Sequence, residues 1–254
     1  LAALLDMLRR ESIDWLQIVS AAYSEQELRS APLLRLLVRR DVLEGGGCEH
    51  GTVFDLSTGC PACGTGAVQT SALMVTVGDA RDSPPVAEAR NGIVVVNHRV
   101  AVALRAAQAS GIELRQTRIA STGEMASLWQ IIPQYTMPKM SPTTQGIVWG
   151  THMPVRDRLC TCNVCCRESH YDSGKEPSQI VYDPRDVSVD ELPDIVETWE
   201  CFGQSWPARS PSMGQWGIPA HGLLLVKPHV RDVFRRLRVR AADFQPVQIS
   251  DPTP

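Results

Sequence analysis

GIVVVNHRVAVALRAAQASGIELRQTRI (residues 92–119) and GLLLVKPHVRDVFRRLRVRAADFQPVQI (residues 222–249) align without a gap, at a constant separation of 130 residues. Each opens on a glycine followed by four apolar residues, Ile93–Val96 and Leu223–Val226. A run that short, closed by a polar residue, reads as a buried strand. Val100 and Leu104 in the first stretch, and Val230 and Phe234 in the second, stand four apart and share one helix face. A second strand follows, in which Leu114 and Ile119 match Phe244 and Ile249. The pattern predicts an α/β (α+β) core of duplicated strand–helix–strand units. Two unrelated units of similar length remain the alternative, because literal identities are few.

Before the first unit, residues 1–44 carry a helical pattern. Ser24 and Glu27 form a capping box, with Tyr23 and Leu28 placed as its staple. Pro32 restarts or kinks the helix, and LLRLLVRR continues it with an apolar face backed by Arg35, Arg39 and Arg40. Gly45–Gly47 read as a flexible break. The expected organisation is therefore a helical N-terminal cap, 1–44, on a duplicated core, 45–254. Within that core, residues 131–158 and 204–222 are rich in Pro, Ser, Thr and Met and read as loop. Trp199, Trp206 and Trp216 crowd the later part, as lids over a core or as anchors for a partner.

The chain has 254 residues, 43% of them hydrophobic, enough to bury a full core. Its longest apolar runs fall far short of the ~20 residues that span a bilayer. The opening LAALLDMLRR mixes acids and bases and lacks the order of a signal peptide, so a cytoplasmic protein is expected. A net charge of −3 gives no global attraction to nucleic acid.

Six of the eight cysteines fall in two clusters, around Cys60 and Cys162. In a large chain expected in a reducing compartment, this favours metal over disulfides. In Cys60-Pro-Ala-Cys63-Gly64, Pro61 fixes φ and Gly64 is free to turn left-handed after the second thiolate, as a zinc knuckle needs. A thioredoxin-like redox pair would open a helix, and Gly-Thr-Gly is a poor start for one. Cys162 and Cys165 repeat the spacing. One tetrahedral Zn²⁺ held by Cys60, Cys63, Cys162 and Cys165 then joins the halves of the chain as a split zinc ribbon. The rival arrangement has two sites: Cys48, His50, Cys60 and Cys63, and Cys160, Cys162, Cys165 with His170 or Cys166. Cysteines that only pack as small hydrophobes are the third reading. Cys48-Glu49-His50 before a CxxC invites comparison with zinc deaminases, but the Glu precedes the His and the spacing is too short. No catalytic set emerges, and His98, His152, His221 and His229 lie in no motif.

Arg231, Arg235 and Arg238 share a face of the second unit's helix. Such a face is commonly just solvated; otherwise it suits an acidic partner or phosphates, which makes a nucleic-acid-binding regulator the alternative function.

CPACG at 60–64, CNVCCRESHY at 162–171, DELPDIVETWECFG at 190–203 and the closing 223–247 together resemble the double-CXXCG motif proteins, a paralogous family abundant in myxobacteria. Cys166 stands where that family's pattern has its second glycine. Some members are immunity proteins that neutralise a toxin delivered between neighbouring cells. The resemblance implies a non-enzymatic, cytosolic, zinc-stapled protein that binds a cognate toxin. Trp206, Trp216, Arg231, Arg235 and Arg238 are the residues expected to contribute to the partner surface.

Overall fold

A computed structural model describes residues 22–39, 42–61, 64–76, 84–89, 92–146, 159–170, 177–202 and 222–250. The chain runs α1 (Glu25–Ser30), β1 (Leu33–Val38), β2 (Val42–Leu43), β3 (Phe54–Asp55), β4 (Val68–Gln69), β5 (Met74–Val75), β6 (Val86–Ala89) and β7 (Ile93–Asn97). Then come α2 (His98–Ala106), β8 (Ile112–Ile119), β9 (Met125–Pro133), β10 (Gln145–Gly146), β11 (Leu159–Thr161) and β12 (Glu168–His170). The last part holds β13 (Pro177–Gln179), β14 (Val181–Tyr182), β15 (Ile195–Glu197), β16 (Cys201–Phe202), β17 (Leu224–Val226), α3 (Pro228–Arg236) and β18 (Ala242–Ile249). The result is mixed α/β, mostly strands with few helices.

Both aligned stretches fold as strand, helix and strand, and five strands of the sheet around each correspond, β2 alone having no counterpart among the described residues. One sheet has the order β2-β6-β7-β9-β8-β5, the other β15-β17-β1-β18-β14 when read in the same direction. In both, the strands flanking the helix are separated by one strand antiparallel to each. Val96 pairs with Val86 and Trp129, and Val226, 130 residues on, pairs with Ile195 and Leu34. Leu114 faces Ile131 as Phe244 faces Leu36. Ile119 pairs in parallel with Val75 as Ile249 does with Tyr182. The helices end alike: Gln108 (φ 53°) and Arg238 (φ 55°) both turn left-handed, and the next amides, of Ala109 and Val239, donate to Leu104 and Phe234 carbonyls.

The two helices touch and share one core with the inner faces of both sheets. Leu104, Phe234, Val100 and Val230 pack there with Leu34, Leu36, Val96, Val226 and Ile131. Separate clusters cover the outer faces, around Leu73, Val95 and Leu128 on one sheet and Leu33, Tyr182 and Leu225 on the other.

The continuation of the helical reading beyond Pro32 is corrected by the structure. The capping box at Ser24 forms, with Ser24 Oγ accepting from the Glu27 amide at 3.2 Å and Glu27 Oε2 from the Ser24 amide at 2.6 Å. The helix stops at Ser30, because Ala31 precedes proline and is extended (ψ 138°). LLRLLV is then a strand, β1, at the centre of the five-stranded sheet. Its leucines read as helical because both faces of a central strand are buried, which erases the alternation that marks a half-exposed strand. Residues 1–21 lie outside the described residues. The Gly-Gly-Gly run is no flexible break either: Gly45–Gly47 are buried, and a Cβ on Gly45 (φ 132°) would lie 2.7 Å from Met74 O and Val75 Cα. Of the expected loop at 131–158, Ile131–Pro133 complete β9, where pairing with β8 overrides the proline.

Candidate metal centre

Each cysteine cluster stands at the tip of a short antiparallel hairpin, β3–β4 for the first and β11–β12 for the second. The two tips close with the same backbone bonds. Cys60 N–H donates to Thr65 O at 2.8 Å and Gly64 N–H to Cys60 O at 2.8 Å. Cys162 N–H donates to Arg167 O at 3.0 Å and Cys166 N–H to Cys162 O at 2.9 Å. Gly64 (φ 73°) and Cys166 (φ 57°) both take the left-handed conformation that the turn requires after its second thiol. Cys166 therefore does a glycine's conformational work.

The two tips meet. The Sγ atoms of Cys60, Cys162 and Cys165 all lie within 4.8 Å of one another, and Cys60 and Cys162 are 3.7 Å apart. A disulfide needs about 2.05 Å, whereas a tetrahedron of ~2.3 Å Zn–S bonds has an S–S edge of about 3.8 Å. The thiols form no disulfide with one another and are spaced for a soft divalent ion. The amide of Cys165, then that of Val164 (N to Sγ 3.4 Å), holds the Cys162 thiol down at about 6, favouring the thiolate that binds metal. The second hairpin is tied to the body through Trp199, with the Arg167 guanidinium 5.1 Å and Lys139 Nζ 5.8 Å from its ring centroid.

Among the described residues this is the one set of Cys, His, Asp or Glu side chains gathered closely enough to hold an ion. Cys63 lies outside the described residues. Cys48 and His50 sit on a short 3-10 turn, half-buried, and do not join the set; burial pushes the Cys48 thiol up, and Glu49 Oε1 lies 3.3 Å from His50 Nδ1. Cys160 belongs to β11, opposite Ser169. Cys166 is exposed and outside the set, and Cys201 is buried in β16.

Trp206 and Trp216 lie outside the described residues. The arginine face is not the open surface that its spacing suggested. Arg231 is 6% exposed and donates to both Glu25 oxygens, at 3.0 and 2.7 Å, and Arg235 donates to Glu25 Oε1. Arg231, first among these partners, holds the Glu25 carboxyl at about 2. Arg238 is exposed, in the turn after the helix. Nothing in the sequence marks Glu25 as the arginines' partner beyond its place in the first turn of a capped helix. Two half-buried acids were missed as well, Glu88 and Glu197; the signal was present in PVAE (85–88) and DIVE (194–197), which occupy matching positions ahead of each unit.

Among the described residues, no helix is long and apolar enough to cross a membrane. Comparison with protein-family models, with curated proteins and with solved structures finds no match.

Proposed function

We propose that this chain is a cytosolic partner-binding protein of the immunity type, a duplicated α/β scaffold stapled by one structural Zn²⁺ that binds and neutralises a cognate toxin protein. The observation that carries the structural half is the convergence of Cys60, Cys162 and Cys165 from hairpins about a hundred residues apart. Cys63 supplies the fourth thiolate, by the correspondence of the two knuckles. An all-thiolate, four-coordinate ion leaves no position for water or substrate, and its energy goes into holding protein together. Shared register in both sheets, through neighbours that the original alignment did not include, supports duplication as the origin of the two units.

The partner half rests on the resemblance to the double-CXXCG proteins and on the exposed apolar residues at the knuckles, Val53, Leu56, Val68 and Val164. Support for nucleic-acid binding falls, because Glu25 occupies Arg231 and Arg235. The test is co-expression with the product of the adjoining gene. Retention of that protein by the tagged chain, together with relief of its toxicity, is the expected result; free passage of every neighbouring gene product would overturn the assignment. Metal analysis of the purified chain should give one zinc per chain, and two would replace the shared site by separate ones.

A further inference from the structure

The two units touch along two matching seams, β1 against β6 and β9 against β15. Because β9 corresponds to β1 and β15 to β6, these are one contact repeated. At the first seam a cation is in place. Arg35 on β1, 3% exposed, and Glu88 on β6 act on each other: burial pushes Arg35 down to about 10 and Glu88 up, and each opposite charge counters the shift.

At the second seam the counterpart of Glu88 is Glu197 and the counterpart of Arg35 is Gln130. The acid is kept and the cation is lost. Gln130 is spent elsewhere, in two reciprocal 2.9 Å hydrogen bonds with the amide of Gln69. Glu197 accepts from Thr136 Oγ1 at 3.1 Å and from the Gly222 amide, and makes no ion pair among the described residues. Burial pushes its carboxyl up. The charge of Arg167 acts on it, but that guanidinium is held over Trp199.

Gln130 and Glu197 line one cleft of about 430 Å³, with Ile131 and Leu224 on its apolar wall and the knuckle hairpin over it. Glu113 and Arg115 also line the cleft and pair with each other at 2.8 and 3.1 Å, which leaves Glu197 as the acid there without an ion pair among the described residues. Val68 lines the cleft and is 53% exposed, beside exposed Val53 on the same hairpin. An apolar rim around a polar pocket is the setting in which one anchoring side chain carries much of an interface.

We propose that this cleft receives an arginine side chain of the partner protein, whose guanidinium takes at Glu197 the place that Arg35 fills at Glu88. The stem lies on Ile131 and Leu224, and the Glu197 carboxylate, an acceptor only, matches a donor-only group. The proposal rests on the partner-binding function above.

The test titrates N-acetyl-arginine amide into the full chain, followed through the side-chain amide signals of Gln130 and Gln134. Saturable shifts at about millimolar concentration are expected, with none from the neutral N-acetyl-glutamine amide. Glu197→Gln keeps a hydrogen-bond acceptor and should weaken binding at least about tenfold. Gln130→Arg, which supplies the cation from within, should do the same. Equal response to the two amides, or an arginine response unchanged by Glu197→Gln, overturns the proposal. With the toxin in hand, unchanged affinity in Glu197→Gln overturns the cleft and leaves the immunity function standing. Glu197-dependent binding of the arginine amide by a chain that retains no protein partner reassigns the cleft to a free cation and overturns the partner as its source.

Discussion

The two units share their strand registers and differ in where the middle strand comes from. β9 reaches its slot through the short turn after β8, whereas β1 reaches the equivalent slot from the opposite end of the described chain. A sheet position is thus filled by whatever strand satisfies the ladder and buries both faces, regardless of chain order. The thermodynamic cost of the long route is small, about 0.6 kcal/mol for each doubling of the closed loop. The kinetic cost is larger, since contacts distant in sequence slow folding. The first unit should therefore form before the second.

The strongest way to break the comparison is to break the thiol set at which the hairpins meet, where the proposed zinc would be held. Cys60→Ser should abolish zinc binding and cost about 4 kcal/mol or more, because binding energy at such a site is folding energy. Metal analysis and thermal unfolding of both units decide it. Zinc lost with melting unchanged would show two units that stand without the staple.

Leu34→Ala comes next. Leu34 is fully buried in β1, so its truncation should cost ~2–5 kcal/mol. If β1 belongs to the second unit as β9 does to the first, hydrogen exchange should quicken in β17 and β18 before β7 and β8. Uniform loss of protection would mean that the sheets unfold as one.

That strand is also where the sequence was least legible. The helices and strands of the aligned units could be read because their apolar spacing is local: Val100 with Leu104, Val230 with Phe234. The knuckles could be read because Cys60 and Cys162 carry turn chemistry in adjacent residues. Leu33–Val38 could not, because a strand buried on both faces has no period to distinguish it from a buried helix. Nor could the seam pairs, since Arg35 with Glu88 and Gln130 with Glu197 are set by how two sheets meet. The metal set was legible as residue types, while the meeting of the hairpins follows from packing.

Glu25→Gln probes a feature found in the second unit: α1 lying against α3. The Glu25 carboxyl is held near 2, against an ordinary 4.5, so the folded chain binds its proton less readily than the unfolded one. Its contribution is therefore present in full above pH 4.5 and is lost as pH falls toward 2. Urea unfolding should show the variant less stable at pH 7 and the difference closing on acidification. A difference independent of pH would mean that the ion pairs with Arg231 and Arg235 contribute nothing.

The smallest effects test the closest likeness. Gln108 and Arg238 end their helices in the left-handed region, and Cys166 does so in the second knuckle, where the first has Gly64. A non-glycine residue is strained there, while glycine adds freedom to the unfolded chain, so the two effects oppose. Relief of strain is the larger when the turn is fixed by hydrogen bonds, as it is at all three. Gln108→Gly and Arg238→Gly should each stabilise by about 0.5–1 kcal/mol, and by similar amounts if the two turns are equivalent. Cys166→Gly should gain about as much with zinc content unchanged, since the side chain stands outside the metal set. If the zinc leaves with Cys166, that thiol is a ligand, and the knuckles differ in chemistry where their backbones agree.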